Sequence, residues 1–204
     1  MKRYLISVVG LLLAGISTPA LADDHVGLFF EPGVTYENLQ GSVNYPSPWT
    51  SSTGKLEGFG LVAKLGLHVN DILFVALDGR YSRPNYTDNN NNYKATASSD
   101  NFGPVVGIQM PYAGLRLWGE YVAVGEVDPG SNNNTQVKFS DGKGYRVGAG
   151  IHLFAVSLNL EYQNVKYDHA NLEQLGPFNP GTNFNNVDSQ SNGWIASVTF
   201  PIEL

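Results

Sequence analysis

The chain has 204 residues, of which 18 are acidic, 12 are basic, 23 are glycine and none is cysteine. The missing cysteines exclude a disulfide framework, thiolate chemistry and a cysteine-based metal site, and the acidic balance makes a poor nucleic-acid binder. Each interior glycine costs a helix about 1 kcal/mol relative to alanine, so so glycine-rich a chain is not expected to be helical.

Lys2 and Arg3 precede an apolar stretch at residues 4–16, then Pro19 and the small-x-small pattern Ala20-Leu21-Ala22. This predicts a signal peptide over residues 1–22, export through the Sec pathway and a mature N-terminus at Asp23. The apolar run is shorter than the roughly 20 residues a helical span requires, and nothing later replaces it. Removing Lys2 and Arg3 leaves ten basic residues against 18 acidic ones, a net charge near −8. Residues 23–204 contain no Pro/Ser-rich linker and are expected to form one domain.

A two-residue alternation then returns along the chain. In 27–37, Leu28, Phe30, Val34 and Tyr36 share one face and Gly27, Glu31, Gly33, Thr35 and Glu37 the other. In 58–69 the apolar face runs from Phe59 through Leu61, Ala63, Leu65 and Leu67 to Val69, opposite Gly58, Gly60, Lys64, Gly66 and His68. In 72–82 it is Leu73, Val75, Leu77 and Tyr81 against Asp78, Arg80 and Ser82, and in 102–110 Phe102, Val106, Ile108 and Met110 against Gly103, Gly107 and Gln109.

Residues 114–125, GLRLWGEYVAVG, fit two templates. A helix would gather Leu117, Trp118, Tyr121 and Val122; a strand would oppose Leu115, Leu117, Tyr121 and Ala123 to Arg116, Trp118, Glu120 and Val122. The neighbours decide for a strand. Three more follow. Residues 144–153 set Tyr145, Val147, Ala149, Ile151 and Leu153 against Arg146, Gly148, Gly150 and His152. Residues 156–163 set Val156, Leu158, Leu160 and Tyr162 against Ser157, Asn159, Glu161 and Gln163. Residues 193–204 set Trp194, Ala196, Val198, Phe200, Ile202 and Leu204 against Gly193, Ser197, Thr199 and Glu203.

Eight strands result, joined alternately by long polar loops (38–56, 83–100, 125–142, 164–192) and tight turns at Asn70-Asp71, residues 111–113 and Phe154-Ala155. Long Asn-rich loops outside and short turns inside are the rhythm of an all-β, antiparallel up-and-down transmembrane β-barrel. Each strand then carries an outward aromatic at its long-loop end: Tyr36, Phe59, Tyr81, Phe102, Tyr121, Tyr145, Tyr162 and Trp194, a girdle where hydrocarbon meets headgroups. A lipocalin-like soluble barrel would alternate too, but its water-facing side needs more Lys and Glu than this polar face offers. Pro32 and Pro104 each remove a ladder donor and imply a bulge or an interrupted pairing.

In such a barrel the polar face looks into the lumen. There Glu31, Lys64, Asp78, Arg80, Arg116, Glu120, Arg146 and Glu161 form a balanced set of four bases and four acids. Eight strands enclose an interior that side chains can fill, so these groups are expected to pair.

The architecture resembles the small eight-stranded outer-membrane proteins of Gram-negative bacteria, the group of the OmpA transmembrane domain, OmpX and OmpW. The C-terminal alternation through Trp194, Phe200 and Ile202 resembles that group's assembly signal but closes on Leu204 where an aromatic is usual. The periplasmic peptidoglycan-binding domain of full-length OmpA is not expected here. The resemblance implies a cell outer membrane location. It also implies contact with outer-membrane lipid and lipopolysaccharide, assembly by the barrel-assembly machinery and a monomer, with any surface ligand unidentified.

Catalytic residues, a cofactor and a metal are not expected. None of His25, His68, His152 and His169 is followed two residues on by Ser, so the His-x-Ser motif of lipid A deacylase barrels is missing. His68 and His152 read as lumen residues near the periplasmic rim. GKGYRVGAG (142–150) lacks phosphate-loop spacing, and DNNNN (88–92) lacks the spaced carboxylates of a calcium loop. The expected function is a non-enzymatic surface barrel with a filled, charged lumen and long interacting loops. The alternative is a narrow porin-like channel for small solutes; a lipid-modifying enzyme comes third.

Overall fold

In hydrocarbon no water satisfies a bare strand edge, so strands with one lipid-facing side must close on themselves. The computed structural model, which describes residues 26–44, 51–88, 94–110, 113–132, 135–175 and 181–204, shows that closure. Its strands are β1 (Val26–Asn44), β2 (Ser52–Val69), β3 (Leu73–Ser82), β4 (Asn85–Asp88), β5 (Lys94–Thr96), β6 (Ser98–Gln109), β7 (Leu115–Val122), β8 (Val124–Asp128), β9 (Ser131–Asn132), β10 (Thr135–Leu153), β11 (Val156–Leu175), β12 (Thr182–Thr199) and β13 (Ile202–Glu203). The order β1-β2-β3-β6-β7-β10-β11-β12 returns to β1, an antiparallel ring of eight positions. β8 and β13 prolong β7 and β12, while β4, β5 and β9 are short additions at the long-loop end. The predicted signal peptide, the Asn-rich residues 89–92 and 133–134, and most of the 111–113 turn lie outside the described residues.

Outside the ring, Leu61, Leu65, Val75, Val106, Leu117, Val147 and Leu160 are exposed, as a lipid-facing surface must be. Two of the tight connections turn through a left-handed backbone: Asn70 and Asp71, which tolerate it, at φ 54° and 55°, and Phe154 at φ 56°.

The prolines mark gaps in the ladders. β1 pairs with β12 as far as Gly33↔Thr199 and with β13 from Phe30↔Ile202, so Pro32 sits where that edge is interrupted. β6 pairs with β7 from Val105↔Glu120 and with β8 at Phe102↔Val124; Pro104 sits in this gap. Three residues, Tyr121 to Ala123, oppose two, Gly103 and Pro104, so Ala123 is an inserted residue that turns Val124 back toward lipid.

The strands are longer than their alternation predicts. β1 runs to Asn44, β2 starts at Ser52, β10 starts at Thr135 and β11 runs to Leu175, so much of the predicted loops 38–56, 125–142 and 164–192 is barrel wall. Beyond the aromatics the apolar side changes face. Leu39, Leu56, Val122, Val127, Phe139, Val165, Tyr167, Ala170 and Ile195 point inward and form one buried cluster, with Ala97 among them. Gln40 and Lys166 face out. A pattern that assumes apolar residues outside stops at the level where water replaces lipid.

Inward glycines make room for large rings. A Cβ at Gly148 would lie 2.3 Å from the Trp118 ring, and one at Gly107 the same distance from the Phe74 ring. Gly119, in contrast, faces outward with nothing within 4 Å of a Cβ. Gly148→Leu is therefore expected to destabilise by about 1–3 kcal/mol through overpacking, and Gly119→Leu to stay within about 0.5 kcal/mol. Urea unfolding of the two variants in lipid vesicles checks this; equal losses would refute the opposed faces.

Candidate functional site in the barrel lumen

Strand register brings the luminal charges together. Glu31 on β1 lies opposite Lys64 on β2, Lys64 opposite Asp78 on β3, and Glu120 on β7 opposite Arg146 on β10. All eight predicted luminal charges are buried, with Glu31, Asp78, Arg146 and Glu161 fully so.

Arg116 donates two parallel bonds to Glu31, at 3.0 and 2.9 Å, and Thr199 donates to the same carboxylate at 2.6 Å. Arg80 donates to both oxygens of Asp78, at 2.9 and 3.1 Å, and to Glu161 at 2.9 Å. The Arg146 guanidinium bonds Glu120 and donates to Gln163 at 2.6 Å. It also lies 3.9 Å from Asp78 and 3.7 Å from Glu161. Lys64 stands 4.0 Å from each of Glu31, Asp78 and Glu161, and 4.8 Å from the Trp118 ring centroid. Planar guanidinium forks match carboxylate pairs, which is why three of the four bases are arginine.

The network has a member that charge counting leaves out. Glu37, on the luminal face of β1 above Thr35, is buried and accepts a bond from Ser82 at 2.8 Å. It adds a further buried acid to the four predicted luminal ones. Its place on the inward face was legible, but it ends the alternating stretch. Thr199, Ser157, Gln163 and Asn159 also read as inward and complete the polar interior.

At the tight-turn end His68 stacks on Phe29 at 4.3 Å and lies 3.1 Å from Glu203. His152 Nδ1 is 3.0 Å from Ser157 Oγ, which also accepts from Arg116 at 3.3 Å. That serine is fully buried and held from both sides, so it offers no accessible nucleophile. Phe29, Phe74, Ala76, Val105 and Trp118 fill the adjacent space as a second apolar cluster. Along the barrel, an aromatic layer mixed with charges gives way to the apolar cluster around Leu39, Phe139 and Tyr167.

The eight girdle aromatics lie on the outer face. Phe59, Tyr81, Tyr121, Tyr145 and Trp194 are exposed, and Tyr36, Phe102 and Tyr162 are half-buried against neighbours. Tyr36 packs on Phe59 at 5.1 Å and Tyr162 on Trp194 at 5.4 Å, both edge-on, while Tyr121 and Tyr145 are direct register partners. Well beyond the girdle, Lys138 is 2.6 Å from Glu126, and that bond holds its proton and raises its pKa.

Among known proteins, the family model described as "Outer membrane protein beta-barrel domain" matches residues 8–200. No curated protein matches the chain. Among solved structures, Neisserial surface protein A (NspA) is similar at 17% identity and a TM-score of 0.45, over 87% of this chain and 99% of that one. Ail, the attachment invasion locus protein of Yersinia pestis, is similar at 11% identity and 0.44, over 84% and 98%. The outer membrane protease OmpT from Escherichia coli is similar at 11% identity and 0.42, over 92% and 99%.

Proposed function

Because the chain belongs to the outer membrane protein β-barrel domain family and so resides in the cell outer membrane, we propose that it is a non-enzymatic surface barrel whose lumen is sealed and whose outward walls and loops carry its interactions. The observation behind this reading is the continuity of the luminal fill. The Glu31–Arg116, Asp78–Arg80–Glu161 and Glu120–Arg146 groups sit under the apolar cluster of Leu39, Leu56, Phe139 and Val165. Side chains that bond one another across the barrel leave the interior of an eight-stranded ring closed. The His152–Ser157 contact, with its serine fully buried, supports the non-enzymatic part. In this reading the chain is a monomer inserted by the barrel-assembly machinery and bedded in outer-membrane lipid and lipopolysaccharide.

A narrow channel for small solutes is the second reading, and one observation favours it. Arg80 Nη1, Glu120 Oε1, Gln163 Nε2 and Tyr167 OH are buried without a protein partner, and such atoms call for water. Planar-bilayer conductance separates the two. The sealed barrel is expected to conduct little or intermittently, and Glu120→Ala or Arg80→Ala to raise conductance by loosening the fill. A large, steady wild-type conductance unchanged by both substitutions would overturn the seal. Orientation is tested by cysteines at Asn192 and Asn70 on intact cells: an impermeant reagent should label the first, and labelling confined to Asn70 would invert the barrel.

A further inference from the structure

The lumen holds Lys64, Arg80, Arg116 and Arg146; the other six bases of residues 23–204, Lys55, Arg83, Lys94, Lys138, Lys143 and Lys166, all lie beyond the girdle aromatics of their strands or in the segments joining them. None lies outside the lumen on the periplasmic side. In a chain with a strong acidic excess this one-sided placement needs a reason.

Two of these lysines stand in a position that strands ordinarily avoid. Lys143 on β10 and Lys166 on β11 are direct register partners, both exposed. Like charges directly opposite on one face destabilise a strand pair, and an anion between them removes the penalty. The pair begins two residues beyond Tyr145, roughly 7 Å along the strand, at the level of lipid headgroups. Asp168 is 3.8 Å from Lys143, and both side chains are more than half exposed, so this contact leaves the ammonium accessible. Asp141 on the same edge is engaged by His169 at 2.8 Å.

Amides extend the lysine pair sideways. Lys166 lies opposite Gln190 on β12, whose amide donates to Asn164 at 2.9 Å, and Asn164 lies opposite Asn192. Asn192 in turn borders a groove of about 350 Å³ on the outer wall, lined also by Gln40, Ser42, Thr53 and Lys55 over Gly41 and Gly54. Immediately below stand Tyr162 and Trp194 in edge-on contact. Stacked from lipid to water, the wall offers aromatic rings, then amides and hydroxyls, then paired ammonium groups.

We propose that this face of β10, β11, β12, β1 and β2 binds the phosphorylated sugar headgroup of an outer-leaflet glycolipid, its phosphate between Lys143 and Lys166 and its sugar hydroxyls on Asn164, Gln190, Asn192 and the adjoining groove. The proposal deepens the outward-surface reading above and takes its orientation from it. A glycolipid is the occupant because the anion site sits directly over the aromatic row, where a lipid's own headgroup lies, and because amides beside it suit sugar hydroxyls better than a bare phosphodiester.

The test uses the folded, full-length mature barrel in detergent, titrated with purified lipopolysaccharide and read by native mass spectrometry. Wild type is expected to bind, and K143Q/K166Q to bind about thirtyfold more weakly, each lysine near an anionic lipid surface contributing about fivefold. K94Q, a base off this face, should bind as wild type does. Inorganic phosphate and phosphatidylglycerol in place of lipopolysaccharide should compete poorly. Wild-type binding retained by K143Q/K166Q, loss of equal size in K94Q, or equal competition by phosphatidylglycerol would each overturn the site. Thermal unfolding without lipid should leave both variants at least as stable as wild type, because the three bases are exposed and removing the facing lysines relieves their repulsion. The cysteine labelling at Asn192 and Asn70 stands apart from this titration: inverted labelling sinks the outward reading, whereas normal labelling with unchanged K143Q/K166Q binding sinks the site alone.

Discussion

Arg146→Ala is expected to destabilise the barrel by about 3–5 kcal/mol, because it leaves buried carboxylates without their counter-charge. Arg146 is fully buried; its guanidinium bonds Glu120 and Gln163 and lies within 4 Å of Asp78 and Glu161. Asp78 and Glu161 retain Arg80 and Lys64, but among the described ion pairs Glu120 is held by Arg146 alone. The loss should therefore localise on Glu120, and R146A/E120L should recover much of it, since removing both partners of a buried pair is far less costly than removing one. Urea titration in vesicles, read by tryptophan fluorescence, measures both variants. An R146A barrel as stable as wild type would mean that water reaches Glu120 freely, which would also favour the channel reading.

The membrane half of this fold was legible because its chemistry is monotonous. From Ala63 to Val69 and from Tyr145 to Leu153 one face is apolar and the other is glycine, lysine, arginine or histidine without exception, and a strand is the only element with that period. The luminal charges followed from the same face assignment. Glu37 shares that face, but its membership of the buried set was not legible, because it closes the alternating stretch and its burial depends on the wall continuing above it. The wall's upper half was read as loop for a physical reason. Past Tyr162, β11 turns Val165, Tyr167 and Ala170 inward and Lys166 outward, so the apolar residues keep the strand's period but sit on the opposite face. Below the girdle the outside is hydrocarbon and the inside must hold polar groups; above it the outside is water and the inside is an ordinary core. Residues 164–175 carry the right alternation for a strand in water, interrupted by Asp168 and His169 where the register shifts.

That reversal yields the second large effect, testable along one strand. Leu160 on β11 is 52% exposed on the lipid side, and Leu160→Arg should cost about 2–4 kcal/mol if it lies near the bilayer midplane. Val165, five residues further, is fully buried among Leu39, Phe139, Tyr167 and Ile195. Val165→Asp places an uncompensated charge in an apolar core, and a loss of about 3 kcal/mol or more is expected. Lys166, its neighbour, faces water, and Lys166→Gln should remain within about 0.5 kcal/mol. The environment supplies a further discriminator. Moving from vesicles to a detergent with a thinner apolar belt should shrink the Leu160→Arg penalty, because its origin is the surrounding hydrocarbon, and leave the Val165→Asp penalty unchanged, because its origin is the protein's own interior. A Val165→Asp variant that unfolds with wild-type stability would place that side chain in water and open the upper barrel; penalties that fall together in detergent would put both residues on the lipid face.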